Sequence, residues 1–195
     1  MAIIDVQIAL GDDDSYDIYG TNYPDSNYVY ISSVAYEAGL RWDNIAIDAG
    51  ATIDTCICYI ELLNDSYNDI NNVVMDFEAA DNPADFGSRA PSTMTPTGTS
   101  VIWNEADAVF SPNRADSPEL KTSLQAVIDR PGWNSGQAIA LNLDPGGANA
   151  VFDSVNYNRG REASIYIDWS SGAAAGQPYS SRVQGVQGMR TWGGI

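Results

Sequence analysis

The sequence predicts an all-β fold, an antiparallel jelly-roll β-sandwich with one short amphipathic helix at about residues 118–129. Three observations predict it. Aromatic and β-branched residues alternate with period two in short segments, and clusters of Asn, Asp, Gly and Pro separate those segments. Only one stretch has a helical period with both ends marked. At 195 residues and 44% hydrophobic, the chain has the material for one domain with a proper core.

The strand-like segments follow in order. YVYISSVAY (Tyr28–Tyr36) alternates throughout, and GLRWDNIAI (Gly39–Ile47) leads through the turn DAGA into TIDTCICYIELL (Thr52–Leu63). NNVVMDFEAA (Asn71–Ala80) precedes a Pro-, Ser-, Thr- and Gly-rich connection from Asn82 to Thr99, whose length predicts a contact surface. SVIWN (Ser100–Asn104), AIALNL (Ala138–Leu143) and SIYIDW (Ser164–Trp169) complete the set.

The helix lies in SPELKTSLQAVIDRPGW. Ser117 is placed to cap it by accepting from first-turn amides, with Pro118 at the first helical position. Leu120, Leu124, Val127 and Ile128 form one apolar stripe, and Pro131 ends the run. Trp133, just past that end, is expected to pack under Pro131.

Three regions are expected: an N-terminal segment 1–20, a jelly-roll domain 21–170 and an extended C-terminal arm 171–195. The arm contains Arg182 and Arg190 and no acidic residue, which leaves −19 on the first 170 residues of a chain whose net charge is −17. Its few apolar anchors, Tyr179, Val183, Val186, Met189 and Trp192, are spaced for contact with another surface, that of a neighbouring copy, and Tyr179, Arg182, Arg190 and Trp192 are the candidate partner-binding residues. With 26 acidic residues against 9 basic ones, and Lys121 the only lysine, nucleic acid and anionic membrane are excluded as partners. No apolar run approaches the ~20 residues that span a bilayer, and MAIIDVQIALGDDD lacks the basic region and cleavage site of a secretory leader.

Chemistry has few carriers. The chain has no histidine, which removes the usual general base and the Ser-His and Cys-His nucleophiles. Cys56 and Cys58 share one face of a strand and read as buried thiols rather than a disulfide. Gly11-Asp12-Asp13-Asp14 with Asp17, and NDSYNDINN (Asn64–Asn72), offer oxygens to a hard cation but lack the spacing of a dedicated loop. Among the tryptophans, Trp42 and Trp103 sit in strand patterns, and only Trp192 has a plainly exposed context for stacking on a sugar. The expectation is therefore a protein that is not an enzyme, with no catalytic residue, no metal site and no cofactor.

GLRWDNIAIDAGATIDTCICYIEL resembles a family of β-sandwich domains with a pattern close to "glRF-nI-IP-GATI-sA-I". Gly39, Leu40, Arg41, Trp42, Asn44, Ile45, Ile47, Gly50, Ala51, Thr52 and Ile53 carry the match. Trp42 stands in place of the usual Phe, and Asp48-Ala49 in place of Pro-Gln or Pro-Lys. The likeness runs from about Tyr28 to Trp169, through DNPADF (Asp81–Phe86), SVIWN and the corner Arg130-Pro131-Gly132-Trp133. It implies a jelly roll in one of two settings, namely a virion protein of a tailed bacteriophage or a carbohydrate-binding module of a secreted protein. Neither implies a catalytic residue. A chain starting at Met1 with no leader, and with an arm of opposite charge, is expected to belong to the first. It would be a capsid decoration (cement) protein, made in the host cytoplasm and placed on the capsid exterior. Its expected partners are itself, as a homotrimer, and the major capsid protein. A carbohydrate-binding module recognising a host-surface glycan, or a head-fibre or tail appendage domain, is the alternative.

Overall fold

The computed structural model describes residues 2–32, 36–63, 68–104, 114–154 and 160–171. Two antiparallel sheets face each other. The first runs β1 (Ala2–Gln7), β13 (Ser164–Ser170), β6 (Thr52–Glu61), β10 (Arg114–Asp116). The second runs β7 (Asn68–Asp69), β12 (Asn149–Asp153), β4 (Tyr28–Ser32), β5 (Tyr36–Ile45), β11 (Gln137–Asp144), β8 (Val73–Phe77), β9 (Val101–Trp103). A further strand β2 (Asp14–Ile18) pairs with β5 and, through a tight hairpin, with β3 (Thr21–Asn22). The chain passes back and forth between the two sheets, from β5 to β6 to β8, from β9 to β10 to β11 and from β12 to β13, which is the interleaving of a jelly-roll β-sandwich. The fold class expected from the sequence is the one observed.

One core lies between the sheets. Cys56, Cys58 and Ile60 of β6 and Ile165 and Ile167 of β13 meet Leu40 and Trp42 of β5, Met75 and Phe77 of β8, and Leu141 and Leu143 of β11. The helix α1 (Lys121–Ile128) adds its stripe of Leu124, Val127 and Ile128 to this core. It bridges the sheets: Gln125 bonds the Ile53 amide at 2.8 Å and the Ala51 carbonyl at 2.9 Å, and the Ser123 hydroxyl accepts from the Phe77 amide at 2.9 Å.

The helix start differs from the expected one. Ser117 is not the cap, and the helix begins at Lys121 after Leu120 rather than at Pro118. Residues 117–120 run beside β6, where Ser117 and Leu120 donate to the Cys58 and Cys56 carbonyls. The Ser117 hydroxyl and the Glu119 carboxylate accept from the Cys58 and Cys56 amides at 2.9 and 2.7 Å. Those strand amides lie in the core and need acceptors more than a helix end that water can reach.

Tyr28–Tyr36 is also not one strand. Ser32 and Tyr36 are register partners in the antiparallel pair β4–β5, and the sequence there has no Gly, Pro or Asn to announce a break. The segment expected to precede the domain supplies β1 to one sheet and β2 to the other.

Residues 78–99 lie over the outer face of the larger sheet. Phe86 is fully buried with Met94 and Ala140 in a small second core, seated on Gly39, where an added Cβ would come within 2.4 Å of its ring. Arg89 grips Glu78 with two contacts of 2.7 Å, and Ser92 donates twice to Asp17 at 2.9 Å. Much of this connection, read from its length as contact surface, therefore covers the sheet.

Candidate functional site

The residues that could have carried chemistry are largely occupied in holding the fold. Of the acidic run, Asp13 is buried against Arg41, whose Nε also donates to the Pro83 carbonyl at 2.9 Å. Asp14 accepts from Ser154, and Asp17 accepts from the Gly20 and Ser92 amides and the Ser92 hydroxyl. Burial raises the Asp13 carboxyl above its ordinary 3.8, against the lowering effect of Arg41. Among the described residues no group of three or more metal-ligating side chains converges. Cys56 and Cys58 are buried free thiols, both pushed up by desolvation.

Trp42, Trp103, Trp133 and Trp169 are all buried and present no ring to solvent. Trp133 does more than pack: its indole N–H donates to the Ile47 carbonyl at 3.0 Å, locking the corner after the helix to the segment just past β5. At the same corner Arg130 pairs with Asp81 at 2.6 Å, and the Asp81 carboxylate packs against Gly132, where an added Cβ would come within 1.9 Å of it and make it shift. Asn82 accepts from the Ala138 amide at 2.9 Å. The residues that carry the family resemblance are thus largely scaffold. The candidate partner-binding residues Tyr179, Arg182, Arg190 and Trp192 lie outside the described residues.

Among the described residues, a tyrosine-lined depression of about 370 Å³ lies beside the β2–β3 hairpin, walled by Tyr16, Asn22, Tyr23, Pro24, Asp25 and Ser26. The Tyr23 ring stacks on Tyr16 (centroids 5.0 Å apart, planes 9° apart), and Tyr16 stacks in turn near Tyr36 at 5.9 Å and 14°. Tyr30 meets Tyr16 edge-on at 5.0 Å. The Tyr23 amide donates to the Tyr16 carbonyl, which sets the stack, and Asp17 holds the hairpin by accepting from the Gly20 amide at 2.8 Å. Burial pushes the Tyr16 phenol up, against a lowering hydrogen bond with Ser26. Tyr16 is buried while Tyr23 is 38% exposed, so the stack begins in the core and ends in solvent.

The polar groups around these rings are unequal. The Asn22 amide is consumed, accepting from Ser15 at 2.6 Å and donating to the Phe86 carbonyl. Asp25 is exposed and forms no ion pair among the described residues. A second hollow, of about 230 Å³, lies on the outer face of β8 and β11 between Asp76, Pro96 and Asp144. There the Asp76 carboxylate is already taken by Ser123, Thr97 and the Gly98 amide.

The tyrosine group escaped the sequence reading, which weighed tryptophans. The available signal was local density, with Tyr16, Tyr19, Tyr23, Tyr28 and Tyr30 within fifteen residues. Comparison of the chain with protein-family models and with curated protein sequences finds no match.

Proposed function

We propose that this chain is a non-catalytic structural protein, a capsid decoration protein of a tailed bacteriophage that assembles as a trimer and stabilises the head by bridging major capsid subunits. The observation that supports a structural role is the commitment of its chemistry-bearing groups to the scaffold: Asp13, Asp14 and Asp17 are bonded internally, and both thiols are buried. The specific setting rests on the family resemblance carried by Gly39–Ile53 and the 130–133 corner, and fold likeness alone does not assign a function. A strongly acidic body keeps exterior surfaces soluble and mutually repulsive, while an arm of opposite charge favours contact between copies.

The test is cosedimentation of the purified protein with tailed-phage capsids that lack decoration. Saturable binding with a rise in capsid heat resistance is expected, with a trimer in sedimentation equilibrium. A monomer that leaves capsids unbound and no more stable would end the proposal.

The alternative of a carbohydrate-binding module draws support from one observation: Tyr23 presents a ring over the depression, as sugar-stacking surfaces do. Glycan-array binding lost on Tyr23→Ala would favour it.

A further inference from the structure

We propose that the tyrosine depression is a receptor for a guanidinium group, and that its occupant is an arginine, Arg182 or Arg190, from the C-terminal segment of a second copy of the chain. The inference rests on the assembly part of the proposed function and names a surface for it.

The fold twice shows the same recognition unit. Arg114 lies over the Tyr59 ring at 3.7 Å while its Nε donates to Asp116 at 2.8 Å. Arg89 lies over the Phe86 ring at 5.0 Å while it holds Glu78 with both terminal nitrogens. In each, an aromatic face and a carboxylate take one guanidinium, the ring by its quadrupole and the carboxylate by charge-assisted hydrogen bonds. The depression repeats the composition with Tyr23, backed by the buried Tyr16, for the ring and Asp25 for the carboxylate, and among the described residues no arginine pairs with Asp25.

Charge selects the occupant. Arg41, Arg89, Arg114 and Arg130 are each committed to carboxylates of their own fold. The C-terminal segment carries two arginines and no acidic residue, beside a body of −19. The same inventory disfavours a saccharide, which is held by several donors and acceptors around its ring. Here the Asn22 amide is spent at both ends and the Ser26 hydroxyl is engaged by the Tyr28 amide and by Tyr16, so Asp25 is the chief polar group left.

The test uses the full-length chain with Arg182→Gln and Arg190→Gln as receptor, so that its own arms do not compete, and a fluorescein-labelled peptide of residues 172–195 as probe. Fluorescence anisotropy at low ionic strength should show saturable binding. Asp25→Asn and Tyr23→Ala in the receptor should each weaken it about tenfold or more, as should high salt, while Asp54→Asn, an exposed acid on β6, leaves it unchanged. Circular dichroism melts confirm that the variants fold. No binding, or binding indifferent to Asp25 and Tyr23, overturns the inference, as does displacement of the peptide by neutral oligosaccharides but not by arginine amide. If the peptide binds while the unmodified protein stays monomeric, the arm folds back on its own chain and the second-copy assignment is overturned. Capsid cosedimentation reads the decoration role separately: peptide binding without capsid binding sinks only that role, and the reverse sinks only this inference.

Discussion

The Ser117 hydroxyl accepts from the Cys58 amide in the interior, so Ser117→Ala leaves a buried donor without a partner. The expected cost is about 1–3 kcal/mol, read as a lower urea midpoint at unchanged slope. Gly39 is as constrained by space. Gly39→Ala should destabilise because the new methyl enters the Phe86 ring, and Phe86→Leu should relieve part of that loss in the double variant, a coupling measurable in a double-mutant cycle. Glu37 carries a pH signature. Burial raises its carboxyl above the ordinary 4.5; Asn142 opposes this, and Asp144 and Asp17 reinforce it. The fold therefore favours the protonated form more than the unfolded chain does. The stability Glu37 contributes is fully present below 4.5 and is lost as pH rises through the folded value. Glu37→Gln should accordingly stabilise the protein near neutral pH, with the advantage fading in acid denaturation series.

The β2–β3 hairpin turns through Tyr19 and Gly20, at φ 51° and 81°. Two positive φ values are what a type I′ turn asks for, and Asn-Gly is its preferred pair. Tyr19 accepts the left-handed strain with a ring that is 79% exposed and thus little compensated by packing. Tyr19→Asn should therefore raise stability by about 1 kcal/mol, visible as a higher melting temperature. The elements show what was legible in the sequence. The alternating strands β6 and β13 were readable because one face of each is apolar, and β11 because it is a continuous apolar run covered on both faces. The β2 strand was hidden because DSYDI is polar, and its buried Asp and Ser residues find partners at residues distant in sequence, among them 22, 92 and 154. Helix α1 was found by its stripe but misplaced at its start, since the competing claim on Ser117 came from a strand some sixty residues away. The tyrosine stack showed in the sequence only as local density, for the same reason. Tyr16, Tyr23, Tyr30 and Tyr36 come from three strands and a turn, and only the sheet brings them together.

At the scale of the molecule, a net charge of −17 opposes compaction. Added salt should raise the melting temperature until screening is complete, and a flat salt response would show that the repulsion is already neutralised. Because the core encloses both thiols, iodoacetamide should label neither Cys56 nor Cys58 in the native protein, and both together on unfolding. Labelling of one alone would reveal a separately opening sheet.

The position of β13 has a consequence for biosynthesis. It is the last described strand of the chain, yet it lies inside its sheet, between β1 and β6. On a ribosome, β1 has no neighbour and β6 lacks one edge until residue 170 has left the exit tunnel. The larger sheet can assemble earlier, but its apolar face then waits uncovered for the partner layer. Folding of the nascent chain should thus be abrupt and late. Arrest sequences placed before β13 should leave a protease-sensitive, chaperone-bound intermediate, and those placed well beyond it a resistant domain.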